Sequence, residues 1–354
     1  MTDAPTTVRT PRLVLRPPTE ADRPFWVALH RDPRTYTHAP HAMAATDEEA
    51  GRRFDDAVAD WDVAGFGYWV AEATDGAGPV GVAGLRRADH DGFLNLYYRL
   101  SLGWHGRGLG REAARYAVAH AVEWLPDLPV QALVKEHNHP SMATALAAGL
   151  ERAGSRPLRD DRPGEPESTI LQAPRARRLT RLDDDAREAV LDLWCRVNDA
   201  GGAVGFLPGA PRERVAEALD VHEQGMARGA QVLLTLEAAG GDLVGLGFWA
   251  VGRNPLLSHV RTAYRVMTDP DRRGRGLGRV LLAAMHRCAR DDGAEIAVLG
   301  VRSGYGTSRF YRDSGYVETG RVAGAIRVAP GDDRDDITMA RRLDGRELLA
   351  DGRD

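Results

Sequence analysis

Several features are scarce in this chain of 354 residues, and each scarcity excludes a class of protein. There are two cysteines, Cys195 and Cys288, without CxxC spacing, which argues against a disulfide framework or a zinc site. Both lie in helix-like stretches, so we expect small buried hydrophobes. No apolar run approaches the roughly 20 residues that span a bilayer. The N-terminus lacks the basic and apolar regions of a signal peptide, so we expect a cytoplasmic protein without a membrane partner.

Positive charge of the lysine type is almost absent, since Lys135 is the only lysine. The 47 basic residues are outnumbered by 51 acidic ones, giving a formal charge of −4, so a nucleic-acid partner has no electrostatic support. Apolar residues make up 43% and charged residues 28%, which is typical of a soluble globular protein. At about 100–200 residues per domain, the length predicts two domains.

A six-residue glycine-rich segment occurs twice, at residues 106–111 and 274–279, 168 residues apart. In each copy it follows a strand-like run and opens a helical pattern, and then come an apolar run and a short helix that ends at glycine. These flanking elements lie at residues 93–100, 130–134 and 141–149 in the first copy and at 260–267, 295–299 and 307–315 in the second. The chain is therefore predicted to contain one fold twice.

The upstream halves agree as well, each with an opening strand, helices and a pair of strands across a turn. These elements lie at residues 12–16, 20–30, 68–72 and 80–85, and at 178–182, 187–197, 212–228, 232–237 and 243–249. Residues 168–172 resemble the last strand of the first copy. We predict a first domain at 1–173, a linker at 174–177, a second domain at 178–345 and a frayed tail at 346–354.

A glycine-rich turn between a strand and a helix has a specific physical use. The helix N-terminus leaves backbone N–H groups unpaired and carries the positive end of the dipole. Glycine allows positive φ and close approach of the backbone to an anion, so such a turn can hold a diphosphate. A structural turn is the alternative. A Rossmann loop is disfavoured, because here the loop follows the fourth strand of a mostly antiparallel sheet.

The pattern Arg/Gln-x-x-Gly-x-Gly/Ala after a fourth strand resembles the acyl-CoA-binding motif of the GCN5-related N-acetyltransferase (GNAT) superfamily. The second copy matches it from Arg273 onward, whereas the first has His105 at the Arg/Gln position. The first half is similar to the RimJ/RimL branch, and the second to the branch of the tabtoxin resistance acetyltransferase. The motifs that carry this are residues 10–16, 110–113 and 138–141, and residues 201–206, 310–311 and 315–316.

The resemblance implies an α+β fold, in which two tandem GNAT folds each have a mixed, mostly antiparallel six- to seven-stranded sheet flanked by about four helices. It also implies acetyl-CoA as co-substrate, with pantetheine paired along the fourth strand. The second-domain positions that would hold it are Val266, Met267, Thr268, Arg273, Gly274, Arg275, Gly276, Leu277, Gly278 and Arg279. Those in the first domain are Leu100, His105, Gly106, Arg107, Gly108, Leu109, Gly110, Arg111 and Asn138.

Two residues are implied as catalytic. Tyr311 matches the family's general acid, since a phenol can protonate the leaving thiolate. The alternative is a packing aromatic, the role expected for Phe310 and Tyr316. In the first domain Ala148 lies near that position, and Ser141 matches the serine of RimL-like enzymes. Equally, Asn138 and Ser141 could cap the helix that starts there.

The general base is undetermined. The acidic positions of the tabtoxin-resistance branch fall on Thr262 and Gly300, so they do not carry over. The alternatives are His259, Tyr264, Glu72 and Glu237, each more typical of a structural residue. No His, Cys or Asp cluster suggests a metal.

The predicted function is transfer of acetyl from acetyl-CoA to a primary amine of a small molecule by direct attack. Antibiotic resistance or tailoring of a secondary metabolite would be its role. The alternatives are a CoA-binding protein without turnover and a protein N-terminal acetyltransferase. The chain is expected to be a monomer or homodimer.

Overall fold

The structure, a computed structural model, describes residues 4–88, 92–158, 164–252, 254–346 and 348. The chain divides into two compact units, Met1–Pro174 and Arg175–Asp354. Within the described residues, no helix combines the length and the apolar character that crossing a membrane requires.

The described part of the first unit has one sheet of eight strands, in the order β1-β2-β3-β4-β5-β6-β8-β7. The strands are β1 (Val8–Arg9), β2 (Leu13–Arg16), β3 (Tyr68–Ala73), β4 (Gly78–Arg87), β5 (Leu94–Leu100), β6 (Val130–Lys135), β7 (Glu151–Arg156) and β8 (Ser168–Gln172). The α-helices are α1 (Arg23–Arg31), α2 (Asp47–Ala64), α3 (Leu109–Trp124) and α4 (His139–Ala147). All strand pairs are antiparallel except β5–β6.

Two neighbouring residues of β3 show that helices cover both faces of this sheet. Val70 packs in a cluster with Trp26 of α1 and Phe54 of α2. The Trp69 ring instead lies 5.2 Å from the His120 ring of α3. Because consecutive side chains of a strand point to opposite faces, α1 and α2 cover one face and α3 the other.

The described part of the second unit has seven strands in the order β14-β15-β13-β12-β11-β10-β9. They are β9 (Arg175–Leu179), β10 (Gln231–Glu237), β11 (Leu243–Val251), β12 (Val260–Thr268), β13 (Ile296–Arg302), β14 (Val317–Ala329) and β15 (Asp332–Arg342). The α-helices are α5 (Asp184–Asp199), α6 (Arg212–Ala227), α7 (Leu277–Asp291) and α8 (Thr307–Arg312). Phe248 stacks on His222 of α6, whereas the Trp249 indole donates to the Met285 carbonyl of α7, so these two helices cover opposite faces.

The two sheets have the same strand order once the short β1 is set aside, which confirms the predicted repeat of one mixed α+β fold. In both, the one parallel pair is short. The β5–β6 pairing ends at Asn95 and Gln131, and the β12–β13 pairing ends at Ala263 and Leu299. Beyond these points the two strands diverge, so the last residues of β5 and β12 have one open edge.

Two expectations need correction, and a third falls largely outside the described residues. The linker expected at residues 174–177 is wrong, because Arg175–Leu179 is strand β9 and pairs with β10. The segment resembles a linker in sequence because most of its side chains are polar and exposed, as the side chains of an edge strand can be. The first sheet has eight strands among the described residues, one more than the expected range. The tail expected at 346–354 lies, apart from Arg346 and Leu348, outside the described residues.

Helix α2 was not predicted, although its signals are local. Thr46 accepts a hydrogen bond from the amide of Glu49, and acidic residues occupy the first turn. Gly65 ends the helix with φ 72°. Phe54 at its centre is fully buried and fixes the face that packs on the sheet.

Candidate active sites at the two glycine loops

Both glycine loops adopt the same backbone conformation. Gly106 and Gly108 have φ of 72° and 77°, and Gly274 and Gly276 have φ of 79° and 80°. Gly108 and Gly276 are the N-caps of α3 and α7, respectively. An added Cβ would meet nothing within 4 Å at Gly106 or Gly274, so positive φ, rather than crowding, calls for glycine there.

The loop amides are available to an anion. Among the described residues, the amides of Gly108 and Leu109 in the first domain, and of Gly276 and Leu277 in the second, donate no hydrogen bond. The buried side chains of Leu109 and Leu277 anchor the first helical turns. Unpaired N–H groups at the positive end of a helix dipole form a site for phosphate oxygens.

The third glycine of each loop lies at a contact with a neighbouring element. A Cβ at Gly278 would lie 3.4 Å from the Phe310 ring of α8, and one at Gly110 would lie 3.6 Å from Leu100. Neither glycine has a positive φ. The helix that carries Tyr311 is therefore held directly against the second glycine loop.

The residues before the loops point away from them. His105 Nε2 donates to the carbonyl oxygen of Leu100 at 2.9 Å, so it terminates β5 and occupies an acceptor at the open strand edge. Arg273 Nη2 donates to the carbonyl of Ala200 at the end of α5, at 3.0 Å. Both positions are thus used to fix neighbouring backbone, and the loop amides stay open.

The arginines of the loops differ in their contacts. Arg279 Nη1 donates to the Asp313 carbonyl at 2.9 Å and so joins α7 to the end of α8. The guanidinium carbon of Arg107 lies 4.7 Å from the centre of the Trp104 ring. Arg111 and Arg275 are exposed. Each loop thus carries two arginines, which make the local electrostatic potential more positive and leave the loop amides open.

The second domain presents an open strand edge beside its loop. Met267 and Thr268 pair with β11 through Leu246 and Gly245, respectively, whereas the other edge of β12 is unpaired beyond Ala263. Val266, Met267 and Thr268 thus have the backbone geometry that an added strand requires. The same holds for Leu100 in the first domain, except that its carbonyl is already bonded to His105.

Tyr311 is buried against Phe310 and Tyr316, with ring-centre distances of 5.0 and 5.6 Å. Its side chain is 8% exposed, and among the described residues its hydroxyl has no hydrogen-bond partner. Burial raises the pKa of the Tyr311 phenol above its ordinary value of 10. The group is therefore a protonated donor at ordinary pH, with its hydroxyl free to bond to a ligand.

In the first domain the residue corresponding to Tyr311 is an alanine. The amide of Tyr316 donates to the Tyr311 carbonyl at 3.0 Å, and the amide of Leu150 donates to the Ala145 carbonyl at 3.2 Å. Ala145 thus takes the tyrosine's place, one turn before Ala148, which was expected nearest to it.

Ser141 sits at the start of α4 in a short network. Asn138 accepts from the Ser141 amide at 3.3 Å and so caps the helix. The Tyr98 hydroxyl donates to the Ser141 carbonyl at 2.8 Å and lies 3.0 Å from Ser141 Oγ. Burial raises the pKa of Tyr98 to about 12. The sequence did not single out the Tyr98 side chain, which joins β5 to Ser141.

Two of the base candidates are held in ion pairs. Glu72 pairs with Arg16 at 2.5 Å, and Glu237 pairs with Arg177 at 2.8 Å. A further carboxylate lies near Gly300: Asp336 Oδ1 on the neighbouring strand β15 is 3.7 Å from the point that a Gly300 Cβ would occupy. Among the described residues, Asp336 forms no ion pair.

Two sequence motifs of the first domain meet at its glycine loop. Glu112, in the first turn of α3, accepts from Thr10 Oγ1 at 2.6 Å and from Arg12 Nε at 2.7 Å. Arg12 also donates to the Arg107 carbonyl within the loop, at 2.8 Å. The strand that opens this unit therefore fixes the loop and its helix, across about 100 residues of chain.

Both halves of the chain match family models of known proteins. Residues 12–151 match a family model described as an acetyltransferase (GNAT) domain, and residues 228–318 match a second model of the same description. Similar solved structures include an acetyltransferase from Agrobacterium tumefaciens C58, 26% identical, covering 48% of this chain and 94% of that chain with a TM-score of 0.40.

Two ribosomal-protein acetyltransferases are also similar in structure. The ribosomal-protein-alanine N-acetyltransferase from Brucella melitensis is 19% identical and covers 48% of this chain and 99% of that chain, with a TM-score of 0.39. The ribosomal-protein-S18-alanine N-acetyltransferase from Escherichia coli is 16% identical and covers 50% of this chain and 97% of that chain, with a TM-score of 0.37. The RimJ/RimL and tabtoxin-resistance branches stay predictions. From its two family matches, the chain is a tandem of two GNAT acetyltransferase domains.

Proposed function

We propose that this protein transfers acetyl from acetyl-CoA to a primary amine of a small molecule, and that its second domain is the principal site. The observation that carries the proposal is the unpaired amides of Gly276 and Leu277 beside an open edge of β12. A diphosphate fits the amides, and a pantetheine arm, which has amide groups of its own, fits the strand edge.

The reaction is direct attack on the thioester. The amine nitrogen forms a bond to the acetyl carbon, the C–S bond breaks, the amine loses one proton to a base and the thiolate gains one. A backbone N–H near Val266 would polarise the thioester carbonyl. Tyr311 would supply the proton to sulfur, since its phenol is protonated at ordinary pH.

No acyl-enzyme step is needed. Cys288 lies in α7, and burial raises the pKa of its thiol to about 11. Cys195 in α5 is half-buried, and burial raises the pKa of its thiol too. A cysteine nucleophile acts as a thiolate, so neither residue has the environment of an activated one.

For the base we propose Asp336, acting through water. It stands beside Gly300, where the related branch is expected to carry an acid, and it is exposed. A carboxylate that works through one water molecule need not touch the amine.

In the first domain we propose a second acetyl-CoA site, since its glycine loop has the same φ angles and the same unpaired amides. Ser141, held by Tyr98, is the acid candidate there, and Asn138 would contact pantetheine as well as cap α4.

The test is thiol release from acetyl-CoA with a panel of primary amines that includes aminated antibiotics and peptides with a free N-terminus. A small-molecule amine should release thiol in stoichiometric amount with acetylated product. If only the peptides react, the acceptor class is wrong. If acetyl-CoA binds and no amine reacts, the protein is a CoA-binding protein without turnover.

A further inference from the structure

Arg265, in the middle of β12, has an unusual backbone. Its φ is 54°, and it is the one residue other than glycine with positive φ among the described residues. The pairing with β11 shifts there: Leu246 faces Met267, Phe248 faces Tyr264, and two residues of β12 lie opposite the single residue between them. This is a β-bulge, a device that re-aims a side chain and is common beside functional sites.

The bulge places two consecutive side chains on one face. The Tyr264 ring lies 6.5 Å from the His222 ring of α6, and the Arg265 guanidinium carbon lies 5.2 Å from the Trp194 ring of α5. In a regular strand these side chains would alternate. On the opposite face, a Cβ at Gly247 would lie 2.6 Å from Met285 of α7. Arg265 thus points away from the helix whose N-terminus carries the glycine loop.

A glycine in the α5–α6 loop makes room for the guanidinium. A Cβ at Gly205 would lie 2.1 Å from Arg265 Nη1 and 2.9 Å from Nη2. Gly205 belongs to the motif at residues 201–206, whose residue types alone predict no chemical role. The α5–α6 loop therefore covers the Arg265 guanidinium.

The Arg265 cation has no anion. Within the described residues its guanidinium forms no ion pair and no hydrogen bond, and its Nε is buried without a partner. By contrast, Arg261, 8% exposed, donates to the carbonyls of Ser258 and Asp292. Burial lowers the pKa of Arg265, but a guanidinium stays protonated in proteins. A half-buried, unpaired cation is unfavourable unless a ligand supplies the opposite charge.

We propose that Arg265 binds a carboxylate of the acceptor, so that the second domain acetylates an amine that also carries a carboxylate, such as an amino acid. The inference rests on the proposed acetyl transfer. The planar guanidinium fork matches a carboxylate with two parallel hydrogen bonds, and the Trp194 ring holds the cation from one side. Acetyl-CoA binds on the other face at the glycine loop, so Arg265 contributes to acceptor affinity alone.

The experiment measures thiol release from acetyl-CoA with matched acceptor pairs. Each pair is an amino acid (the L-α-amino acids, β-alanine or 4-aminobutyrate) and its carboxamide, which keeps the amine and lacks the charge. The wild-type protein should favour the carboxylate member by about 10- to 100-fold in kcat/KM, the range for hydrogen bonds to a charged group.

Arg265→Asn should abolish this preference by raising the KM of the carboxylate member, with kcat little changed. Asparagine tolerates positive φ, so the bulge is preserved. Arg265→Lys should retain part of the preference, because it keeps the charge and loses the fork. The control is Arg214→Gln, whose side chain is 68% exposed on α6 and which should behave as wild type.

Calorimetry with acetyl-CoA distinguishes failure of the carboxylate site from failure of the proposed acetyl transfer. If neither the wild-type protein nor any variant binds acetyl-CoA, the proposed acetyl transfer is wrong, and the carboxylate site is wrong as well. If wild type binds it and no carboxylated amine is preferred, or the preference survives in Arg265→Asn, the carboxylate site is wrong. Weaker acetyl-CoA binding by Arg265→Asn would overturn the proposal by assigning the arginine to the CoA phosphates.

Discussion

Two tyrosines on or just after α8 should respond in opposite ways to loss of their hydroxyls. Tyr311→Phe removes a hydroxyl that has no partner among the described residues, so we expect the free energy of unfolding to change by about 0.5 kcal/mol or less. Removing a general acid lowers kcat by about 10²- to 10⁴-fold, or about 3–5 kcal/mol of barrier.

Tyr316→Phe is the matched control. Its side chain is 1% exposed, and its hydroxyl lies 2.9 Å from His286 Nε2. Arg341 donates to His286 Nδ1, so the imidazole carries its proton on Nε2 and donates to Tyr316. Loss of the Tyr316 hydroxyl removes this buried hydrogen bond, which costs about 0.5–1.5 kcal/mol. A domain of this size would lose about 2–4 °C in Tm per kcal/mol, with kcat unchanged.

The assays are thiol release under saturating acetyl-CoA and thermal unfolding of the same preparations. The pH profile gives a third reading: since burial places the Tyr311 pKa above 10, its proton should stay bound up to that pH, and kcat should show no fall between pH 8 and 10 from this group. Unchanged kcat in Tyr311→Phe would remove it as the acid. An alkaline limb near pH 9 that disappears in this variant would refute the pKa direction.

Two further substitutions test a structural contact beside the first glycine loop and the proposed base of the second domain. Glu112→Ala should lower the free energy of unfolding by about 1–3 kcal/mol, because the hydrogen bonds that Thr10 and the Arg12 amide donate to its carboxylate are lost. Urea unfolding measures this against Glu217→Ala, 67% exposed, as control. Asp336→Asn should lower kcat/KM by about 10²-fold if it is the base, with Asp333→Asn on the same strand unaffected; equal rates in both would exclude Asp336.

The order of elements was predictable because each signal is local. The glycine loops, the alternating apolar strands and the glycine-ended helices all follow from backbone preferences within a few residues. Strand β8 agrees with its prediction residue for residue. The α2 helix was predictable from its Thr46 cap, its acidic first turn and Gly65. Strand Arg175–Leu179 was mistaken for a linker because an edge strand needs few apolar residues.

The side-chain partners were not predictable, since they depend on contacts between distant segments. His105 bonds to the end of β5, and Arg273 bonds to the end of α5, instead of facing the loop. The positive φ of Arg265 has no sequence signature, because it depends on how β12 registers against β11. The role of Gly205 is evident only from the structure, where the Arg265 guanidinium occupies the space that a side chain at this distant position would need.

We propose that amides of the glycine loops bind the diphosphate of coenzyme A. Calorimetric titration of the intact chain with acetyl-CoA tests it most directly, with Gly108→Ala and Gly276→Ala as variants, because alanine strains the positive φ of each loop. We predict saturable binding at two sites per chain, with one site weakened in each variant. Absence of heat in the wild type, or equal binding in both variants and wild type, would contradict it.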